Sequence, residues 1–397
     1  MVLSRRAFLT LLAGTGALAP AVHAAPAPPR GAFALAGTVY PGRGAPLPGH
    51  AVLVRSGRIE GVVPTQAVAD RPVVALKDGS VLPGVINAHC HDLHTARERR
   101  ERWLVHGVTA IGDAASPLEF LPALRNSPPG QTATASVCGP MLCPPGGYPL
   151  PVHSPEHALV VTSPKEGADA VRRLADLGAT RIKIAFEPGT LPRPWPRFDP
   201  ASASAVCGAA RRLGLAVRCH VEDLSGLEPA LDAGVDFVEH VPYRWHDHGA
   251  IRPVLGPDGA PVPYYQHLLE RMARDGVAMT PTLDVFTRTP WNGPALFEPV
   301  RAFRALGGRV ALGNDFPYRR TDAGMPVREM RLLAKAGLDE LAVLEAATAT
   351  AADVCGFGDR GRIAPGMAAD LLMVRGAPTP DALQDPAHVV KDGVFIR

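Results

Sequence analysis

Lysine is scarce in this chain: five of the 41 basic residues, at 77, 165, 183, 335 and 391, with arginine making up the rest. A lysine inside an apolar stretch is therefore conspicuous. An excess of one charge is lacking too, since 41 basic against 38 acidic side chains leave +3 over 397 residues, scattered rather than clustered. No basic stripe interleaves with aromatics, so the chain carries no footprint for nucleic acid. Charged tails and low-complexity tracts are also missing, which argues against a disordered interaction module. The six cysteines, Cys90, Cys138, Cys143, Cys207, Cys219 and Cys355, have none of the paired C-x-x-C spacing of a structural zinc site. Most sit in apolar surroundings and read as small buried thiols, with a bridge between Cys138 and Cys143 left open. Past residue 25 no run of about 20 apolar residues occurs, so the mature chain is expected to hold no membrane span.

The first 25 residues read as a targeting segment. Ser4-Arg5-Arg6-Ala7-Phe8-Leu9 sets an arginine pair before the apolar run from Leu9 to Val22, and small residues follow around Val22-His23-Ala24-Ala25. The pattern resembles a twin-arginine signal, which a receptor reads and which carries folded proteins through the twin-arginine export machinery. A periplasmic or secreted location is expected. No cysteine near the cleavage region offers a lipid anchor.

After a Pro/Ala-rich linker, residues 31–82 alternate short β-like runs with turn signals, as in Ala51-Val52-Leu53-Val54 before Arg55-Ser56-Gly57. The last 40 or so residues read alike, through Leu371-Leu372-Met373-Val374 and Lys391-Asp392-Gly393-Val394. The expectation is a small β-sandwich domain formed by both termini, residues 26–82 plus 358–397. Between them, residues 83–357 alternate apolar runs with helix-length segments. Candidate strands are Gly84–Ala88, Val108–Gly112, Thr132–Cys138, Arg181–Phe186, Ala216–His220, Phe237–Val241, Val277–Thr282 and Arg309–Gly313. Helices are expected at Glu166–Leu177, Ala201–Leu213 and Leu338–Cys355. Near-continuous apolar strands separated by crossover-length segments imply parallel pairing, and eight such units close into an α/β (β/α)8 TIM barrel. A doubly wound sheet is the alternative.

Polar residues fall at the ends of these strands. His89-Cys90-His91 closes the first, Lys183 lies in the fourth, His220 ends the fifth, His240 the sixth, and Asp315 follows the eighth. In a barrel the C-terminal strand ends meet at one mouth, so residues far apart in sequence become neighbours. Alternation sends His89 and His91 to one face and Cys90 to the other, leaving two imidazoles able to grip one cation. Singly, such signals are weak. His246-Asp247-His248 has the same spacing with no apolar strand leading into it, and a lone strand-end histidine is more often a satisfied core residue. Lys183 has no such bland alternative, because an unpaired ammonium between Ile182 and Ile184 is costly to desolvate. It needs a carboxylate partner or conversion into something other than an ammonium. Taken together, four histidines, a carboxylate and a lysine at five strand ends form an ion-binding set.

These stretches resemble the amidohydrolase superfamily of metal-dependent hydrolases. The resemblance rests on Pro83-Gly84-Val85-Ile86-Asn87-Ala88-His89-Cys90-His91, Arg181-Ile182-Lys183-Ile184 and Ala216-Val217-Arg218-Cys219-His220. Phe237-Val238-Glu239-His240, Gly313-Asn314-Asp315 and Pro365-Gly366-Met367-Ala368-Ala369-Asp370-Leu371 carry it further, in the family's order. Within the superfamily the chain looks most like the imidazolonepropionase-like and prolidase-like members. The resemblance implies a barrel plus a β-sandwich, and Lys183 is similar to the carboxylated lysine of the binuclear members. A CO2-derived carbamate on Lys183 would then hold two divalent metal ions, expected to be Zn2+, about 3.5–4 Å apart. His89, His91 and Asp315 would hold the first ion, and His220 and His240 the second. A metal-bridging hydroxide attacks the scissile carbonyl, with Asp315 as general acid/base.

The expected substrate is a small molecule with a peptide-like or acyl-amide C–N bond, a dipeptide or acyl-amino acid. Tyr148, in the loop after strand three, and Tyr243 and Arg244, in the loop after strand six, are the substrate-binding candidates. Arg244 would meet a carboxylate. The Gly146-Gly147 pair lacks a strand–GxGxxG–helix context, so no dinucleotide site is indicated. One rival is a mononuclear aminohydrolase, a deaminase or cyclic-amidine hydrolase. Those enzymes lack the strand-four lysine and carry a glutamate three residues past the fifth-strand histidine, where Asp223 stands here. A lactonase or carbamate hydrolase on the same site is a further alternative, and a metal-binding protein without catalysis is the reading from another class.

Overall fold

The computed structural model describes residues 31–93, 97–189, 193–247, 249–289 and 293–397, so the expected export signal at residues 1–25 lies outside the described residues. Strands from both ends of the chain meet in one seven-stranded sheet. Its order is Val394–Phe395, His388–Lys391, Leu371–Arg375, Val73–Pro83, Ala32–Val39, Leu47–Arg55 and Arg58–Pro64. The strands expected from both termini thus share a single hydrogen-bonded sheet. The reason is the 11-residue strand Val73–Pro83, which pairs parallel with Ala32–Val39 on one edge and antiparallel with Leu371–Arg375 on the other. One strand serves both halves, and no break separates them. Alternation sorts its faces: Phe33 and Leu35 pack with Val52, Val54, Leu371 and Met373, whereas Ala34 and Ala36 pack with Ala51 on the opposite side.

The middle of the chain is TIM-barrel-like, built of parallel strands with helices between them. Val85–Cys90, Val108–Asp113 and Thr134–Ser136 form a three-stranded sheet. Ala278–Thr280, Phe237–Glu239, Ala216–His220, Arg181–Ala185, Met141–Cys143 and Ala158–Val160 form a six-stranded one. Neighbours in both pair parallel. The sheets are joined at their edges by a few hydrogen bonds rather than by continuous ladders. On one side the Thr180 amide donates to Val137 C=O at 2.8 Å; on the other, Ala88 donates to Leu312 C=O at 2.8 Å and Ala311 to Met279 C=O at 2.8 Å.

The expected eighth strand, Arg309–Gly313, is thus reduced to an isolated bridge between Val310 and Met279. Its ladder fails because the Leu312 amide donates to the Ala346 carbonyl of a neighbouring helix at 2.9 Å. Met141–Cys143 and Ala158–Val160, three residues each, were too short for alternation to reveal. Two expected helices hold closely, as Pro164–Asp176 and Pro200–Arg212, with Ser163 and Asp199 capping their first amides. The third splits into Glu340–Ala347 and Ala349–Cys355 at Thr348, whose hydroxyl donates back to Leu344 C=O at 2.6 Å. All six cysteines are buried and free, which closes the Cys138–Cys143 question. No helix among the described residues is long and apolar enough to cross a membrane.

Two of the five lysines, Lys183 and Lys391, are wholly buried. Their surroundings differ. Lys391 Nζ lies 2.9 Å from Asp370 Oδ2 and 3.1 Å from Asp392 Oδ2, and Arg360 pairs with the same Asp370. This buried knot ties the C-terminal strands to the segment that leads into them. Removing its central carboxylate leaves Lys391 with Asp392 alone and takes from Arg360 its buried partner. Asp370→Ala is expected to lower the unfolding free energy by about 3–5 kcal/mol in urea titration; a change within about 0.5 kcal/mol, as at an ordinary surface position, would contradict this reading.

Candidate active site

Asp315 is the meeting point of the first group. His89 Nε2 and His91 Nε2 each lie 3.3 Å from Asp315 Oδ1, and 3.2 Å from one another. All three side chains are at most 11% exposed. Two local features deliver Asp315 to this place. Asn87 clamps the segment, its Nδ2 donating to Asn314 Oδ1 at 2.8 Å while its Oδ1 accepts from the Asn314 amide at 3.2 Å. Asp315 itself sits in the left-handed region at φ 57°, which turns its carboxylate back over the histidines. Gly313 is required before it, because a Cβ there would lie 2.6 Å from His89 Cβ.

The second group is His220 and His240, with His240 Nε2 2.9 Å from His220 Nδ1. His240 follows Glu239, and simple alternation would send these two side chains to opposite faces. At φ 73° the His240 backbone breaks the alternation, and both reach the cluster. His240 Nδ1 is 2.7 Å from Thr282 Oγ1. Thr282 is also left-handed, at φ 51°, and starts the helix Leu283–Thr287, whose first amides are accepted by buried Glu329 at 3.0 Å and 2.6 Å. The rings of His89 and His240 stand 4.9 Å apart, so the two groups adjoin.

Lys183 lies across from Arg218 in the strand register, and its Nζ is buried without a hydrogen-bond partner among the described residues. Glu239, the carboxylate that acts most strongly on Lys183, is already committed. It accepts from Arg218 Nε at 2.6 Å and holds His89 Nδ1 through its other oxygen. Burial draws the Lys183 ammonium below the usual lysine range, against the opposing pull of Glu239. Burial likewise lowers His89 to about 4 and holds His220 and His240 well below their ordinary value. These imidazoles are therefore free bases at neutral pH, as metal ligands must be. Burial pushes Asp315 upward, but His89 and His91 together keep it below the usual carboxylate range.

A cavity of about 340 Å³ opens onto these groups, with His91, His220, His240 and Asp315 in its lining. Tyr148 reaches it and stacks on His220, ring centroids 4.1 Å apart. Trp195, Phe286 and Tyr318 add further aromatic wall. His153 stands between two hydroxyls, 3.1 Å from Tyr148 and 3.3 Å from Tyr318. Of the loop candidates after strand six, Arg244 also lines the cavity, but its NH2 donates to Glu187 at 3.0 Å and to Glu222 at 2.9 Å. Tyr243 is buried and donates to Glu222 at 3.0 Å. Arg244 Nε is buried without a hydrogen-bond partner among the described residues. Asp223, which occupies the place of a deaminase glutamate, faces elsewhere: it caps Leu224–Ala233 by accepting from the Ser225 amide at 3.0 Å and pairs with His246.

Sequence reasoning missed Glu239, Arg218, Glu222, Glu187, His153, Tyr318 and Thr282. A signal existed for two of them. Arg218 and Glu239 are charged residues inside the same apolar strands that end in His220 and His240, so one buried pair was there to be read. Lys183 Nζ, His220 Nε2 and Asp315 Oδ1 are all buried and lack hydrogen-bond partners among the described residues. Donors of these types, with His89, His91 and Asp315 in one group and His220, Glu222 and His240 in another, suit divalent ions. The residues fit a metal centre.

Residues 101–397 match the family model described as the amidohydrolase family. Among curated protein sequences none matches the chain. Solved structures share the fold. A Xaa-Pro dipeptidase with bound methionine superposes with a TM-score of 0.73 at 19% identity, covering 92% of this chain and 100% of that one. A putative prolidase from Bifidobacterium longum gives 0.73 at 23% identity over 93% and 95% of the two chains. The ochratoxinase of A. niger gives 0.74 at 19% identity over 92% and 96%.

Below the first group, Asp113 ends its strand with Oδ2 buried and unpartnered, and burial pushes its carboxyl up to about 6. A folded-state value above the unfolded one means that stability is lost as pH rises through this range. Asp113→Asn removes that loss. In metal-free protein, the variant is expected to gain about 1–2 kcal/mol on the wild type between pH 5 and pH 8, by urea unfolding. An equal difference at both pH values would show that Asp113 does not titrate there.

Proposed function

The chain belongs to the amidohydrolase family and is a hydrolase acting on C–N bonds, and from that premise we propose that it cleaves a peptide-like or acyl-amide bond at a binuclear metal centre. The observation that carries this reading is Lys183. A wholly buried amine with no hydrogen-bond partner among the described residues, within electrostatic reach of His89, His220, His240 and Asp315, is hard to explain as a structural lysine, and Lys391 in the same chain is fully paired. As an uncharged amine, Lys183 adds to CO2 through its lone pair and loses a proton to give a carbamate. Its neutral lone pair becomes an anion with two oxygens, suited to hold one ion each. His89, His91 and Asp315 would complete the first site, and His220 and His240 the second.

Bound there, the ions, expected to be zinc, supply a Lewis acid for the scissile carbonyl and a water acidified to about neutrality. The chain's own residues do the rest. Asp315, held as an anion by two histidines, accepts the proton of the attacking water and returns it to the leaving nitrogen. Tyr148 and the aromatic wall exclude water and bed an apolar portion of a small-molecule substrate. The prolidase, ochratoxinase, molinate hydrolase and phenylurea hydrolase among the similar folds support hydrolysis at C–N bonds rather than one particular substrate. Asp223, spent as a helix cap, weighs against the deaminase alternative. The edge hydrogen bonds support reading the two parallel sheets as one closed (β/α)8 barrel, and the Arg5-Arg6 segment supports export to the periplasm.

Metal content and a hydrolysis screen test this together. Protein matured after export is expected to carry two zinc equivalents per chain, falling to one or fewer in Lys183→Ala, with activity lowered on the order of 10²–10⁴-fold. Acyl-amino acids and dipeptides should be cleaved, and aminated heterocycles should release no ammonia. A metal-free active enzyme, or full activity in Lys183→Ala, would overturn the reading.

A further inference from the structure

We infer that Glu222 is a positioning residue for His220, and that Tyr243, Arg244 and Glu187 hold Glu222 in place. The inference rests on the binuclear reading above.

Three of the clustered imidazoles each turn one nitrogen toward the group and the other away from it. The outward nitrogen of His89 is held by Glu239, and that of His240 by Thr282 Oγ1 at 2.7 Å. For His220, Nδ1 faces His240, so Nε2 is the outward atom; it is buried and has no hydrogen bond. It faces Glu222 Oε1 at 3.5 Å. A cation that takes the Nδ1 lone pair fixes the proton on Nε2, and that buried N–H then needs an acceptor. Glu222 Oε1 is placed to be it, one short approach away.

The rest of the cluster explains why that oxygen is free. Glu222 Oε2 is used twice, accepting from the Tyr243 hydroxyl at 3.0 Å and from Arg244 NH2 at 2.9 Å. Arg244 NH2 also donates to Glu187 Oε1 at 3.0 Å, and the Glu222 amide donates to Glu187 Oε2 at 3.2 Å. The backbone joins the same loops: Tyr243 donates to Glu222 C=O at 3.1 Å, and Leu224 to Arg244 C=O at 2.7 Å. The segments that leave His220 and His240 are thus zipped together directly past the two ligands. Arg244 NH2 is thus shared by two carboxylates, which fixes Glu222 Oε2 on its far side from His220. Tyr148, stacked on the face of His220, leaves the ring's edge to Glu222.

Zinc affinity, measured on the full chain by competition with a chromophoric chelator, separates this role from others. Glu222→Ala is expected to bind one zinc as the wild type does and the other 10–100-fold more weakly. Glu222→Gln keeps an acceptor oxygen and should restore most of that affinity. Two results would overturn the inference: unchanged affinities in Glu222→Ala, or a loss in Glu222→Gln as deep as in Glu222→Ala, which would make Glu222 a ligand. If Glu222→Ala does not fold, Tyr243→Phe takes its place, removing one hydrogen bond from Glu222. It should weaken the second zinc several-fold, and no change would count against the inference. A wild type that binds no zinc would instead overturn the binuclear reading itself.

Discussion

The structure turns on one buried amine. Lys183 sits within parallel strands that place it beside Arg218 and within electrostatic reach of His89, His220 and His240, with no hydrogen-bond partner among the described residues. An ammonium in that place lacks the compensation that Lys391 receives from Asp370 and Asp392. Buried charges survive in proteins when they are paired or when they bind ions. The surroundings of Lys183 suit the second outcome: His89, His220 and His240 held below their ordinary value, Asp315 below the usual carboxylate range, and Glu239 already balanced by Arg218.

Holding such donors together requires the backbone to leave its ordinary track. His240, Thr282 and Asp315 all have positive φ, and each redirects a side chain toward the same few ångströms. Residues without glycine's freedom persist in that region only where surrounding contacts over-determine them. Here the contacts can be named. Asn87 grips Asn314, Glu329 caps the helix after Thr282, and the His240 amide donates to Thr280 C=O at 2.8 Å. The irregular 309–316 segment, which spoils a clean eighth strand, is also what lets Asp315 bend inward. Regularity is given up where the chemistry sits.

Much of this was legible from the residues. The strand-end positions of His89, His91, His220, His240 and Asp315 pointed to one mouth, and the structure brings them together. Five lysines against 36 arginines made Lys183 stand out in an apolar strand. What was illegible was whatever depends on pairing rather than on position. For Tyr243 and Arg244 a sequence shows a phenol and a cation in a loop but not the carboxylates they pair with, Glu187 and Glu222. Glu222 and Glu187 lie two residues beyond their strands, where alternation no longer says which way a side chain turns. The sheet built from both termini was anticipated, but its continuity was not, since nothing in the run Val73–Pro83 announces that both of its edges are used.

The most direct measurement is carbon-13 NMR of metal-loaded protein equilibrated with labelled bicarbonate. A single carbamate resonance should appear and should be missing from Lys183→Ala. Active, metal-loaded wild type without that resonance would contradict the central claim, because Lys183 would then be a plain amine in a place that does not suit one.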